Sequence, residues 1–212
     1  MSLLGTGLSV LPLSGRDSGI SDGANYYLMT TPTSGTGIIS NGGTSAVATT
    51  PSLVLYNSGL LTVNLMYLRL SSTVVGGGAA TKNFTFYMDT GNRWASGGTA
   101  LVSQNTNIPS GNASSLVGHF GAITAGAAVA QRQLQNDWFR VALADVVGDV
   151  YEWQYGGSGP GSSSSQVATV ATFVRPTAPI TIQPGNSYLM NLWSSTFTQG
   201  ITFEVQIGYS EK

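Results

Sequence analysis

The chain predicts an all-β fold: an antiparallel two-sheet β-sandwich, jelly-roll-like, with about ten strands and little or no helix. Three observations lead there. Apolar and polar residues alternate along most of the chain, and clusters of Gly, Ser, Asn and Pro separate the alternating stretches. Charged residues are only 8% of the total, against about 25% in a typical soluble domain. Exposed helix faces are built largely from Glu, Lys and Arg, so their scarcity argues against helices.

Taken in order, the chain opens with "MSLLGTGLSVLPLSGRDSG". This stretch has no basic leader and no unbroken apolar run, so residues 1–20 read as an extended N-terminal arm rather than a signal peptide. Leu3, Leu4, Leu8, Val10, Leu11 and Leu13 follow no helical period. So many large aliphatic side chains are costly to leave in water, and the arm is expected to dock on a partner. The bland alternative is a frayed terminus.

Residues 21–212 read as one sandwich domain. The clearest strand is "ITFEVQIGY", which puts Ile201, Phe203, Val205, Ile207 and Tyr209 on one face. "LTVNLMY" predicts Leu61, Val63, Leu65 and Tyr67 inward, and "FTFYM" predicts Phe84, Phe86 and Met88 inward. Further strands are expected in "ANYYLM" from 24, "SLVLYN" from 52, "TALVSQ" from 99, "AITAGAAVA" from 122, "FRVALAD" from 139, "VYEWQY" from 150, "VATVATFV" from 167 and "SYLMNLW" from 187. The segment from Gln131 to Val147 reads either as a short helix, with Leu134, Trp138, Val141 and Asp145 at helical spacing, or as strand, turn and strand. Flexible loops are expected near 30–51, alternatively two weak edge strands, and over 154–166. Crossover helices are missing, which excludes a parallel α/β sheet.

Charge and composition also narrow function. A net charge of −1 provides no basic field for a phosphate backbone, so no nucleic-acid partner is expected. No apolar run approaches the 18 or so residues of a membrane-spanning helix, and no membrane partner is expected. The absence of cysteine excludes disulfides, thiolate metal sites and a cysteine nucleophile. A surface of Ser, Thr, Asn, Gln and Gly suits either life inside an assembly or a secreted β-protein.

Several groups invite a chemical reading. Asp89-Thr90-Gly91 after an alternating run has the arrangement around an aspartic protease carboxylate. That chemistry needs two carboxylates sharing a proton; here there is one such triplet, followed by Asn92, Arg93 and Trp94, and a hairpin turn is expected. His119 is the only histidine, and no G-x-S-x-G elbow accompanies it. Asp145, Asp149 and Glu152 form the densest acidic group, read as a solvated turn in preference to a calcium site or a glycosidase pair. Trp94, Trp138, Trp153 and Trp193 read as core or interface residues in preference to a sugar platform. The glycosylation triplets at Asn83 and Asn112 and the glycines at 76–78 carry no assignment. No catalytic residue, cofactor or metal is assigned.

The strings "GNRWASGGTALVSQNTN" (91–107) and "VVGDVYEWQYGG" (146–157) resemble segments of virion structural proteins of tailed bacteriophages, especially those of aquatic bacteria. The cysteine-free, Ser/Thr/Gly-rich composition is similar to that of jelly-roll capsid decoration, or cement, proteins. The resemblance implies a non-enzymatic homotrimer, made in the host cytoplasm and carried on the capsid surface, that binds major capsid protein subunits. The alternative is a receptor- or carbohydrate-binding β-sandwich of a tail fibre or spike, marked by coplanar tryptophans on an exposed face.

Overall fold

The computed structural model describes residues 25–74, 81–107, 111–140, 146–157, 171–194 and 200–212; the arm over 1–20 lies outside the described residues. Among the described residues, fifteen strands carry the fold. In chain order they are β1 (Asn25–Thr30), β2 (Ile38–Ile39), β3 (Gly42–Gly43), β4 (Leu53–Asn57), β5 (Val63–Val74), β6 (Thr81–Asp89), β7 (Trp94–Ala100) and β8 (Val102–Asn105). There follow β9 (Leu116–Ala125), β10 (Arg132–Arg140), β11 (Val150–Tyr155), β12 (Thr172–Thr177), β13 (Ile180–Ile182), β14 (Ser187–Trp193) and β15 (Thr202–Glu211). The count exceeds the ten expected because short pieces such as β2, β3 and β13 pair with longer neighbours.

The strands form a two-sheet β-sandwich. The larger sheet runs β12-β11-β5-β15-β1-β8 and the smaller β10-β6-β14-β4-β9-β7. The longer strands are nested: β1 pairs with β15, β4 with β14, β5 with β11 and β6 with β10, all antiparallel. This is a long hairpin rolled so that its two halves stay paired while the chain alternates between sheets. Between β6 and β10, β7 edges the smaller sheet, and the chain continues through buried Leu101 into β8 at the edge of the larger one. One ribbon thereby closes one side of the sandwich.

Two pairings are parallel, β11 with β12 and β14 with β3. The first is reached across residues 156–171, longer than the dozen or so residues a parallel return requires.

The core lies between the sheets. Trp153 of the larger sheet meets Phe84 and Phe86 of the smaller one edge-on, with ring centres 4.8 and 5.1 Å apart. Ile201, Phe203, Val205, Ile207 and Tyr209 are buried as the alternation predicts, as are Phe84 and Phe86, while Met88 is partly buried against the same core.

β5 departs from its prediction. Gly208 pairs with Tyr67 and Tyr209 with Leu65, so Met66 is a bulge and the inward face switches from Val63 and Leu65 to Leu68 and Leu70. Tyr67 is turned outward and Leu61 is exposed, contrary to the simple alternation. The Tyr67 ring lies over Gly208, where a Cβ would sit 2.3 Å from Cε1.

The helical alternative from Gln131 is overturned as far as Arg140, because residues 132–140 pair with β6 as a strand. Its Leu134 is exposed, at the point where the β10–β6 register shifts. Residues 141–145 lie outside the described residues, as do 158–170, which hold most of the 154–166 loop. The strand expected from 122 instead begins at Leu116 and ends at Ala125, where the chain turns toward β10.

The outward face of the smaller sheet is covered. β9 bends at Gly121, whose φ is 110°. Beyond the bend Ile123 packs with Val54, Leu189 and Tyr87 in a second small apolar cluster. The 30–51 stretch contributes β2, β3 and a strap: Val47 O accepts from Asn191 Nδ2 at 2.7 Å, and Thr49 O accepts from the Ala125 N–H at 2.8 Å. No described element covers the outward face of the larger sheet in this way.

Candidate functional site

Charge is scarce, and much of it is inside. Lys82, Asp89, Arg93, Asp149 and Glu211 are all buried. Burying an ion is costly unless it is fully partnered, so the partners decide whether each is a site or a strut.

Asp89 is a strut. Its Oδ2 accepts from Arg93 Nη1 at 2.7 Å and from the Val129 N–H at 3.2 Å; its Oδ1 accepts from the N–H groups of Thr90 and Ala130, both at 2.7 Å. Burial pushes this carboxyl up, but the donors, led by the Ala130 N–H and Arg93, outweigh burial and hold it below the ordinary carboxylate value. Arg93 also donates to Gly126 O and Ala48 O, each at 3.0 Å, and to Gln131 Oε1. The pair ties the β6–β7 turn to the β9–β10 connection and to the strap over the smaller sheet. A carboxylate so filled by donors has no lone pair facing water, and it neither shares a proton nor activates a nucleophile. Asp89-Thr90-Gly91 is a structural turn.

His119 lies on β9 and stacks on Trp94, with ring centres 4.2 Å apart and planes 13° from parallel. Its buried Nδ1 has no hydrogen-bond partner among the described residues, and burial holds the imidazole below its ordinary value. No described carboxylate orients it and no hydroxyl nucleophile is bonded to it, so the triad geometry is missing among the described residues.

The acidic group is not gathered. Asp149 accepts from the Val146 N–H at 2.9 Å and the Ala171 N–H at 2.8 Å, closing the turn before β11. This corrects its reading as a solvated residue: it is buried because two backbone donors replace water. Glu152 points outward from β11 and accepts from Gln154 Nε2, and Asp145 lies outside the described residues. Among the described residues no three His, Cys, Asp or Glu side chains converge as metal ligands.

The tryptophans divide. Trp153 is in the core and donates to Asp137 Oδ2 at 2.7 Å. Trp193 is half-buried and donates to Thr85 Oγ1 at 2.9 Å. Trp94 sits at the surface with its indole N–H on Gly97 O, and the side chain of Trp138 lies outside the described residues. Asn83 and Asn112, of the glycosylation triplets, point their amides at Trp193 O and Asn25 Oδ1.

The feature that sequence reasoning missed is on the outward face of the larger sheet. A depression of about 310 Å³ is lined by Thr30, Ser34, Arg69, Ser71, Glu204 and Gln206, among others. Arg69 and Gln206 face each other across β5 and β15, and Gln206 faces Thr30 across β15 and β1. The turn after β1 forms a wall, held by the Gly35 N–H on Glu204 Oε1. Arg69 has no hydrogen-bond or ion-pair partner among the described residues, although Glu152 stands directly opposite it. The available signal was a lone arginine among the polar positions of a long strand, but only the register shows what surrounds it.

Compared with protein-family models, with curated proteins and with solved structures, the chain matches none. Its class is therefore the one the fold defines, an all-β two-sheet sandwich.

Proposed function

We propose that the protein is a structural virion protein that decorates and stabilises a phage capsid, binding major capsid protein subunits as an oligomer, with a homotrimer as the expected form. The observation that carries this reading is an exposed apolar tip. Leu60 is 94% and Leu61 45% exposed in the β4–β5 connection. They precede Val63, which pairs with Glu211, and Glu211 pairs with Asn25, the first described residue after the arm. Two exposed leucines at the end of the larger sheet where the described chain begins make a surface suited to protein contact. Multivalent contact through linked copies would make a weak site effective on a repetitive shell.

The nested strand pairing supports the reading, because a rolled double hairpin is the plan of a jelly roll. So does the structural use of carboxylates: Asp89 and Asp149 are engaged by their donors, and buried Glu211 accepts from Ser114 Oγ at 2.8 Å and the Ser115 N–H at 2.9 Å, so these charges are withdrawn from the surface. A receptor- or carbohydrate-binding role in a tail fibre or spike is the alternative, and Trp153, buried in the core, is unavailable for its aromatic platform.

Cosedimentation with expanded capsids tests the proposal. Binding is expected, and removal of residues 1–15 or the double change Leu60→Ser, Leu61→Ser should weaken it. Absence of capsid binding by the intact protein, or an electron-microscopy map placing it on the tail, would overturn it.

A further inference from the structure

The depression on the larger sheet has the chemistry of a ligand site that nothing else in the molecule uses. At about 310 Å³ it falls at the lower end of small-molecule sites, which run roughly 300–1,000 Å³. The one cation among its lining residues is Arg69, exposed and with no partner among the described residues, while the facing Glu152 is engaged by Gln154. A guanidinium fork matches a carboxylate through two parallel N–H donors. Around it stand the hydroxyls of Thr30, Ser34 and Ser71 and the amide of Gln206, which both donate and accept. Glu204 has one oxygen engaged by Gly35, and its other oxygen has no partner among the described residues.

We propose that this depression binds an acidic sugar: a hydroxyl-rich ring bearing one carboxylate, of the hexuronic acid class. The carboxylate pairs with Arg69, and ring hydroxyls exchange hydrogen bonds with Thr30, Ser34, Ser71 and Gln206 and donate to the second oxygen of Glu204. A doubly charged anion such as phosphate fits worse, because Glu204 stands in the same hollow and repels it. A neutral sugar leaves Arg69 unspent. The inference does not rest on a capsid location, since the face is present on the isolated chain.

The test is a titration of the isotope-labelled full chain with sodium glucuronate, followed by backbone amide shifts. Parallel titrations use glucose, sodium acetate, sodium phosphate and glycine. Saturable shifts at Thr30, Ser34, Arg69, Ser71 and Gln206 are expected with glucuronate, with affinity at least about tenfold above each of the others. Arg69→Ala should lower glucuronate affinity by about tenfold or more while leaving the remaining spectrum native, and Arg69→Lys should retain part of it. Acetate or phosphate binding as tightly as glucuronate would reduce the site to simple anion pairing and overturn the proposal. So would tighter binding of glycine, no saturable shift with glucuronate, or unchanged affinity in a natively folded Arg69→Ala protein.

Discussion

Arg93 and Arg69 are the same residue type in two opposite situations. Arg93 is 1% exposed, bonded to Asp89 and to Gly126, Ala48 and Gln131, and its guanidinium joins three segments distant in sequence. Arg69 is exposed on a sheet face with no bonded partner among the described residues. Of the eight basic residues in the chain, Arg93 holds the fold and Arg69 faces solvent. Burial with complete hydrogen bonding marks the first use, and an uncommitted group in a polar hollow marks the second.

The sharpest way to break this contrast is Arg93→Met. It strands the buried Asp89 carboxylate, and a loss of about 3–5 kcal/mol in urea unfolding is expected. Adding Asp89→Ala should recover part of that loss, because the unpaired charge is gone. If Arg93→Met unfolds at the same urea concentration as the parent, the clamp has no structural role.

Asp149→Ala should follow at about 1–3 kcal/mol, since it leaves the Val146 and Ala171 N–H groups without their acceptor. Amide exchange at those two positions should quicken more than elsewhere.

The pH limits come next. The Asp89 carboxyl is depressed in the folded protein, so its contribution is full above its ordinary value near 3.8. It is lost as pH falls through the lower folded value. Acid unfolding by circular dichroism should therefore begin below about pH 4 and shift upward in Arg93→Met. On the alkaline side Tyr155 and Tyr188, whose hydroxyls are 2.7 Å apart, are both raised by burial, and burial pushes Tyr209 up to about 12. Their stabilising effect is present below the unfolded value of 10.0. It is lost as pH rises through the higher folded values, so tyrosinate absorbance at 295 nm, roughly the phenolate band, should rise together with unfolding above about pH 10.

The smallest effect belongs to Arg69→Ala, whose stability in urea unfolding should match the parent within about 0.5 kcal/mol. A large loss there would mean that Arg69 is a strut like Arg93, and the contrast would collapse.

Strand-by-strand alternation was legible wherever a strand has one buried face. Ile201 to Ile207 follow period two because the core lies on one side of that strand, while in β6 Phe84 and Phe86 face the core and Thr85 between them is buried under the covered outer face. In β5 the expected inward face holds at Val63 and Leu65 but not at Tyr67, since a bulge adds a residue without a local sequence mark and reverses the pattern past it, while Leu61 is exposed because it precedes the strand. Leu134 and its neighbours suggested a helix because a strand at the edge of a sheet has weaker burial to enforce alternation. Asp89 was recognisable as a turn residue from Gly91 and Asn92. Its donors at Val129 and Ala130, however, lie some forty positions away, where no local reading reaches.

The sequence by itself determined the all-β class and the poverty of charge, because alternation and composition act through local geometry and solvation. Tertiary structure alone decided which charges are struts and that Arg69 has no partner among the described residues. Partnering depends on register and on folded-over segments such as β9 beyond Gly121, and these bring residues from distant parts of the chain within bonding distance of one carboxylate or leave one arginine at the surface.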